Sequence, residues 1–283
     1  LILNCIFDIT VLENNETVMI MKLKNKMLLT MGSVGAVAAV TAAASLGMKV
    51  FSGDAVLPAG FTLTAHTGCD GTADNSLDSI TVGYVSGADA VEFDLSFNND
   101  GVAVLSHDEP VGGEVTLDEA FSHLKQFKNL LINVDVKRTD DLKQVAECAK
   151  KHGVFDRMFY TGITCEDVEA VISNTPDVPY YLNVSVPAGK GNDTQYISEL
   201  IEEVKTLGAI GLNFRYTSCS KKLVDMFHAQ GLLVSIWTVN NRFDMKKALS
   251  YGADNVTTKK PSVYSQILEA YLPQEVEKYV ITE

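Results

Sequence analysis

From residue 61 onward the chain alternates short apolar runs with stretches whose apolar residues recur at helical spacing. Residues 61–65, 90–95, 130–136, 158–161, 180–184, 210–214, 232–239 and 255–258 read as eight strands. A further extended piece, 102–106, is reached through the turn Asn99-Asp100-Gly101. Helices are expected around 75–86, from Thr116, whose Thr116-x-x-Glu119 pattern forms a capping box, and through the apolar positions 142, 145, 146 and 149. Others fall near 165–173, over about 194–207 with Gly208 as C-terminal cap, and from Pro261. About eight βα units without a break in composition predict a parallel sheet, and eight such units close into a barrel. The expected fold is therefore α/β, a TIM (β/α)8 barrel forming a single domain over residues 54–283. A doubly wound open sheet is the structural alternative.

The pattern changes ahead of that region. Met21-Lys22-Leu23-Lys24-Asn25-Lys26 is basic, and residues 27–48 then run without a charge. That order predicts a signal peptide or an uncleaved anchor over residues 21–53, hence a secreted or extracytoplasmic membrane-anchored protein that meets the membrane through residues 27–48. Residues 1–20 open on Leu1 and carry Asp8, Glu13 and Glu16 with no Lys or Arg, so they read as a non-native or untranslated leader before Met21 or Met19. The net charge of −13 argues against nucleic acid as a partner. Five cysteines, Cys5, Cys69, Cys148, Cys165 and Cys219, are widely spaced with no CxxC. Cysteine spacing alone thus argues against zinc, and an even count beyond residue 20 permits disulfides whose pairing is undecided.

Polar residues gather where strands end, which is where a barrel of this type carries its chemistry. His66 follows the first strand, Glu92 and Asp94 close the second, Asp135 and Lys137 the third, and Trp237 the seventh, while His107 ends the extra extended piece. Glu92 and Asp94 at i and i+2 point to the same side of a strand. Two such carboxylates repel one another unless a cation lies between them, and Asp135 can supply a third oxygen, a hard set suited to Mg2+ or Ca2+. Two imidazoles can move protons to and from reacting oxygens, Asp108 can orient His107, and Lys137 can neutralise phosphate. His123, His152 and His228 fall in helical stretches and are given no role. Surface charge, or simple pairing of these carboxylates with Lys137, is the alternative for each residue taken alone.

The ordered set Ala65-His66-Thr67-Gly68, Asp74-Asn75-Ser76, Gly87 to Asp94, Asp100-Gly101, His107-Asp108-Glu109-Pro110, Ile236-Trp237-Thr238-Val239-Asn240 and Gly252 to Thr258 resembles the glycerophosphodiester phosphodiesterase family over roughly residues 61–265. The resemblance implies a TIM barrel with His66 and His107 as acid and base and with Glu92, Asp94 and Asp135 on a divalent metal. It also implies attack on phosphorus by the substrate's neighbouring hydroxyl, giving a cyclic phosphate that is then opened. Lys137, Thr67 and Trp237 are the residues expected to meet the substrate. Three positions depart from the family pattern: Thr67 replaces an arginine, and Asp74 and Asp135 replace glutamates. The missing arginine and the Asp135-x-Lys137 spacing also resemble sphingomyelinase D-like phospholipases. The expected substrate is a glycerophosphodiester, with a phospholipid headgroup or a non-catalytic phosphodiester- or lipid-binding barrel as the alternatives.

Overall fold

The computed structural model describes residues 7–10, 20–23 and 57–269. The chain divides into two units, Leu1–Ser52 and Gly53–Glu283. In the first, Phe7–Thr10 pairs antiparallel with Ile20–Leu23. The apolar run 27–48, on which the signal or anchor expectation rests, lies outside the described residues.

In the second unit, eight parallel strands close on themselves. They are β1 (Thr62–Ala65), β2 (Ala90–Phe97), β4 (Leu131–Val136), β5 (Met158–Ile163), β6 (Tyr180–Asn183), β7 (Gly211–Arg215), β8 (Leu233–Trp237) and β9 (Asn255–Thr258), and β9 returns to pair with β1. The ninth strand, β3 (Ala103–Leu105), runs antiparallel to β2. Around the barrel lie α1 (Leu77–Val85), α2 (Leu117–Leu124), α3 (Leu142–His152), α4 (Val168–Asn174), α5 (Thr194–Leu207), α6 (Lys221–His228), α7 (Arg242–Tyr251) and α8 (Pro261–Leu268). The helical stretch expected at His228 is α6, whereas α7 has no counterpart among the expected helices. The capping box predicted at Thr116 forms: its Oγ1 accepts from the Glu119 amide at 3.2 Å while Glu119 Oε2 accepts from the Thr116 amide at 2.9 Å.

Every residue of β2 is buried, because the strand faces the helices on one side and the barrel interior on the other. Val91, Phe93 and Leu95 join the apolar layer, which leaves Glu92, Asp94 and Ser96 for the interior. That interior is more polar than apolar strand runs suggest. Thr62 and Thr64 donate to Asn255 Oδ1, Asn255 donates to Ser235 Oγ, Ser235 to Asn213 and Asn213 to Asn183, at 2.6–2.9 Å. Thr161 continues the layer by donating to Asn133 Oδ1 at 2.8 Å. Such a layer is tolerated in a core because its members satisfy one another, and it forms a polar floor beneath the mouth.

Among the described residues Cys69, Cys148, Cys165 and Cys219 are all free thiols, so no disulfide links them.

Candidate active site

The mouth at the C-terminal ends of the strands holds a cavity of about 210 Å³. His66, Glu92, Asp94, His107, Asp135, Lys137 and Trp237 all line it. Seven of the eight residues singled out from the sequence therefore share one rim.

Register brings the carboxylates together. Asp94 on β2 pairs directly with Asp135 on β4, and Glu92 lies two residues below Asp94 on the same face. One oxygen from each of Glu92, Asp94 and Asp135 lies within 4.8 Å of the others. An all-oxygen set of this size fits a hard divalent cation. Glu92 and Asp94 are only 6% and 2% exposed. Burial, and then the neighbouring charges of Asp135 and Asp94, push the Glu92 carboxyl well above its ordinary range. Burial also raises Asp135, against the pull of Lys137. The Lys137 ammonium lies 3.0 Å from Asp94 Oδ1 and 2.6 Å from Asp135 Oδ2. Burial works against its charge, but those two carboxylates outweigh that and hold it well above its usual value.

Backbone geometry holds these groups in place. Gly162 has φ of 79°, and a side chain there would strike the Asp135 carboxylate and the Val136 backbone, so β5 needs a glycine opposite Asp135. Asn75 takes a left-handed φ of 55° and closes the free edge of β2. It accepts from the Asp94 amide at 2.9 Å and donates to Asp94 Oδ2 at 2.9 Å.

The histidines arrive by different routes. His66 follows β1 directly, and its Nδ1 donates to the Thr67 carbonyl at 2.9 Å, which leaves Nε2 as an acceptor 4.0 Å from Glu92 Oε1. Burial lowers its pKa below that of free imidazole, so the ring is neutral at pH 7. His107 depends on β3. The antiparallel pairing of Leu105 with Leu95 turns the chain back, and the Ser106 amide donates to the Asp94 carbonyl at 3.0 Å. His107 thereby returns to the level of the carboxylates. Its Nδ1 donates to Asp108 Oδ1 at 2.9 Å, which leaves Nε2 free.

Thr67 is the exception. It is 2% exposed and does not line the cavity; its hydroxyl accepts the Asn75 amide. The residue expected to meet the substrate thus has its hydroxyl engaged in the turn, away from the cavity lining. Gly68, with φ of 69°, completes the turn, and any side chain there would collide with Asp74. Arg215, at the end of β7, is exposed and lies outside the cavity lining.

A cation not singled out from the sequence stands near His66. Thr258 pairs with Ala65 across β9 and β1, so Lys259 emerges beside His66. Two backbone bonds and one to a side chain fix the pair of exits: His66 amide to the Thr258 carbonyl, Asp70 amide to the Lys259 carbonyl, and Lys259 amide to the Asn240 side-chain oxygen Oδ1. The Lys259 ammonium meets Asp74 Oδ1 at 2.7 Å, and its positive charge contributes to lowering His66. Strand register was the missing signal, because residues 66 and 259 are remote in the chain.

Comparison with known proteins agrees with this geometry. The profile of the glycerophosphoryl diester phosphodiesterase family matches residues 64–133 and 114–263. A glycerophosphodiester phosphodiesterase of Bacillus subtilis is 24% identical, the match spanning 88% of this chain and 99% of that protein. A crystal structure of a glycerophosphodiester phosphodiesterase from Parabacteroides distasonis superposes with a TM-score of 0.61 at 20% identity, covering 75% of this chain and 98% of the other. An Oleispira antarctica phosphodiesterase in complex with the product sn-glycerol-3-phosphate gives 0.62 at 20% identity, covering 74% and 96%. With its barrel, its grouped carboxylates and a family profile matched from residue 64 to residue 263, the chain belongs to the glycerophosphoryl diester phosphodiesterase family.

Proposed function

We propose that the protein hydrolyses glycerophosphodiesters, releasing an alcohol and glycerol 3-phosphate. The observation that carries this reading is the convergence of two free imidazole nitrogens, three carboxylates and Lys137 on one cavity. Glu92, Asp94 and Asp135 are the residues that would hold Mg2+ or Ca2+. When bound, the ion neutralises negative charge on the phosphoryl oxygens. His66, neutral and with Nε2 directed into the cavity, takes the proton of the attacking hydroxyl. His107, protonated at both ring nitrogens, gives its Nε2 proton to the leaving alcohol oxygen while Asp108 holds its ring. Water then opens the cyclic phosphate formed by that attack, His107 taking the water's proton and His66 returning its own to the released hydroxyl oxygen. Lys137 bridges Asp94 and Asp135 and presents the remaining positive charge to the phosphate. Trp237 offers an apolar wall for the glycerol carbons.

The test is a substrate panel of glycerophosphocholine, glycerophosphoethanolamine, a lysophospholipid and sphingomyelin, run with EDTA and with Mg2+ or Ca2+ restored. The expected result is glycerol 3-phosphate from the first two only, lost in EDTA and recovered with metal. Turnover confined to sphingomyelin or the lysophospholipid moves the assignment to lipid headgroups. Binding without turnover identifies a non-catalytic barrel.

Lys259 is expected to help draw the anionic phosphodiester toward a mouth whose own carboxylates repel it. Lys259→Ala should raise KM roughly five- to tenfold, about 1–1.4 kcal/mol, with a smaller change in kcat, and Lys259→Arg should restore most of the loss. Steady-state kinetics on glycerophosphocholine decides; an unchanged KM removes Lys259 from substrate binding.

A further inference from the structure

A second set of ligand atoms lies on the outside of the barrel. Cys148 and His152 stand one turn apart on α3, and Asp118 comes from the first turn of α2. The Cys148 Sγ is 3.8 Å from Asp118 Oδ1, His152 Nε2 is 2.9 Å from the same oxygen, and all three atoms lie within 4.8 Å of one another. Tetrahedral zinc with bonds of about 2.0–2.3 Å holds its ligand atoms about 3.3–3.8 Å apart, so small side-chain movements complete the geometry. His152 is seated, with 10% of its side chain exposed. An adjoining cavity of about 340 Å³, lined by Thr116, Gln144, Glu147 and Cys148 among others, leaves room for a water at a fourth position.

We propose that Asp118, Cys148 and His152 form a binding site for a borderline-soft divalent cation of the Zn2+ type, separate from the oxygen-ligated site in the barrel mouth. The donor set separates the two. Thiolate and imidazole favour zinc over Mg2+ and Ca2+, whereas three carboxylates favour the hard ions. The Lys151 ammonium lies 2.5 Å from Asp118 Oδ1 and is the present counter-charge of that oxygen. Its side chain is 65% exposed, so it can swing into solvent when an ion arrives. On binding, the Cys148 S–H bond breaks, its proton leaves to solvent, and sulfur bonds to the metal. The imidazole proton passes from Nε2 to Nδ1, which frees the Nε2 lone pair. The ion fastens the start of α2, directly after the segment that carries His107, to α3. Cysteine spacing could not reveal such a site, because Asp118 enters from a different helix.

Titration of the full-length protein with Co2+ as the probe tests the proposal, because a cobalt–thiolate bond gives near-ultraviolet charge-transfer absorption that an all-oxygen site cannot. The expected result is a saturable band that disappears on adding Zn2+ and is absent in Cys148→Ser. It should fall sharply in His152→Ala and Asp118→Asn and persist in Asp135→Asn and Cys165→Ser. Thermal melts should show stabilisation by Zn2+ in the wild type that Asp118→Asn, a substitution at an exposed carboxylate, reduces. No band, a band that survives Cys148→Ser, or one indifferent to both His152→Ala and Asp118→Asn overturns the site. None of these readouts depends on phosphodiester turnover.

Discussion

His66→Ala is expected to lower kcat on glycerophosphocholine by about 10²–10⁴-fold, with KM changed far less. The reason is geometric. The Nδ1 bond to the Thr67 carbonyl commits that nitrogen as a donor, so Nε2 is the only basic atom the ring presents to the cavity. His107→Ala should fall in the same range, because its Nε2 is the second free imidazole nitrogen at the mouth. The double variant should lose less than the product of the two single losses, since both groups serve one proton-transfer sequence. The pH profile adds a signed test. A base must be neutral to accept a proton, and burial lowers the His66 pKa, so the acidic limb of kcat/KM should lie below the ordinary imidazole range. A bound cation pushes the same way. A kcat unchanged in either single variant removes that residue from the mechanism, and an acidic limb at or above 6.5 removes His66 as the base.

Glu92→Gln is expected to abolish metal-dependent turnover while stabilising the metal-free protein at neutral and higher pH. Glu92 is buried against Asp94 and Asp135, and its folded-state pKa is raised well above the unfolded value. A carboxyl raised in this way contributes fully to stability below its unfolded pKa. That contribution is lost as pH rises through the folded pKa, because the unfolded chain then ionises without the penalty. Each unit of such a shift corresponds to about 1.4 kcal/mol. Glutamine keeps the shape and removes the charge. In EDTA at pH 8, melting should therefore occur at a higher temperature in Glu92→Gln, by about 2–4 °C for each kcal/mol relieved. Near pH 4 the two proteins should converge. Saturating Mg2+ or Ca2+ should raise the wild type and leave the variant nearly unmoved, since the substitution removes one of the three carboxylates that would hold the ion. A lower Tm for the variant in EDTA at pH 8 refutes the account of Glu92 as a strained ligand.

Much of this was legible in the chain. Strand runs and capping signals are local, so eight βα units, the Thr116 box and the Gly208 cap follow from residues within a few positions of one another. Period-two geometry likewise places Glu92 and Asp94 on one face without any tertiary information. The pattern marks α6 only as a helical stretch at His228 and does not mark α7, and the interior layer of Asn133, Thr161, Asn183, Asn213, Ser235 and Asn255 looks like ordinary strand. A polar residue in a strand does not announce whether a partner waits two strands away.

The sequence by itself determined the alternation that closes a barrel, the placing of His66, Glu92, Asp94, Asp135, Lys137 and Trp237 at strand ends, and the resemblance to a phosphodiesterase family. Only the tertiary structure decided which of these groups touch. Asp94 meets Asp135 through register, His107 comes back to them through an antiparallel strand, and Lys259 stands beside His66 because β9 pairs with β1. It also decided that Thr67 turns inward to hold the Asn75 amide. The physical reason is one of range: propensity and periodicity act over a few residues, whereas charge, metal ligation and proton transfer depend on distances of 2.6–4.8 Å between atoms as remote in sequence as residues 74 and 259.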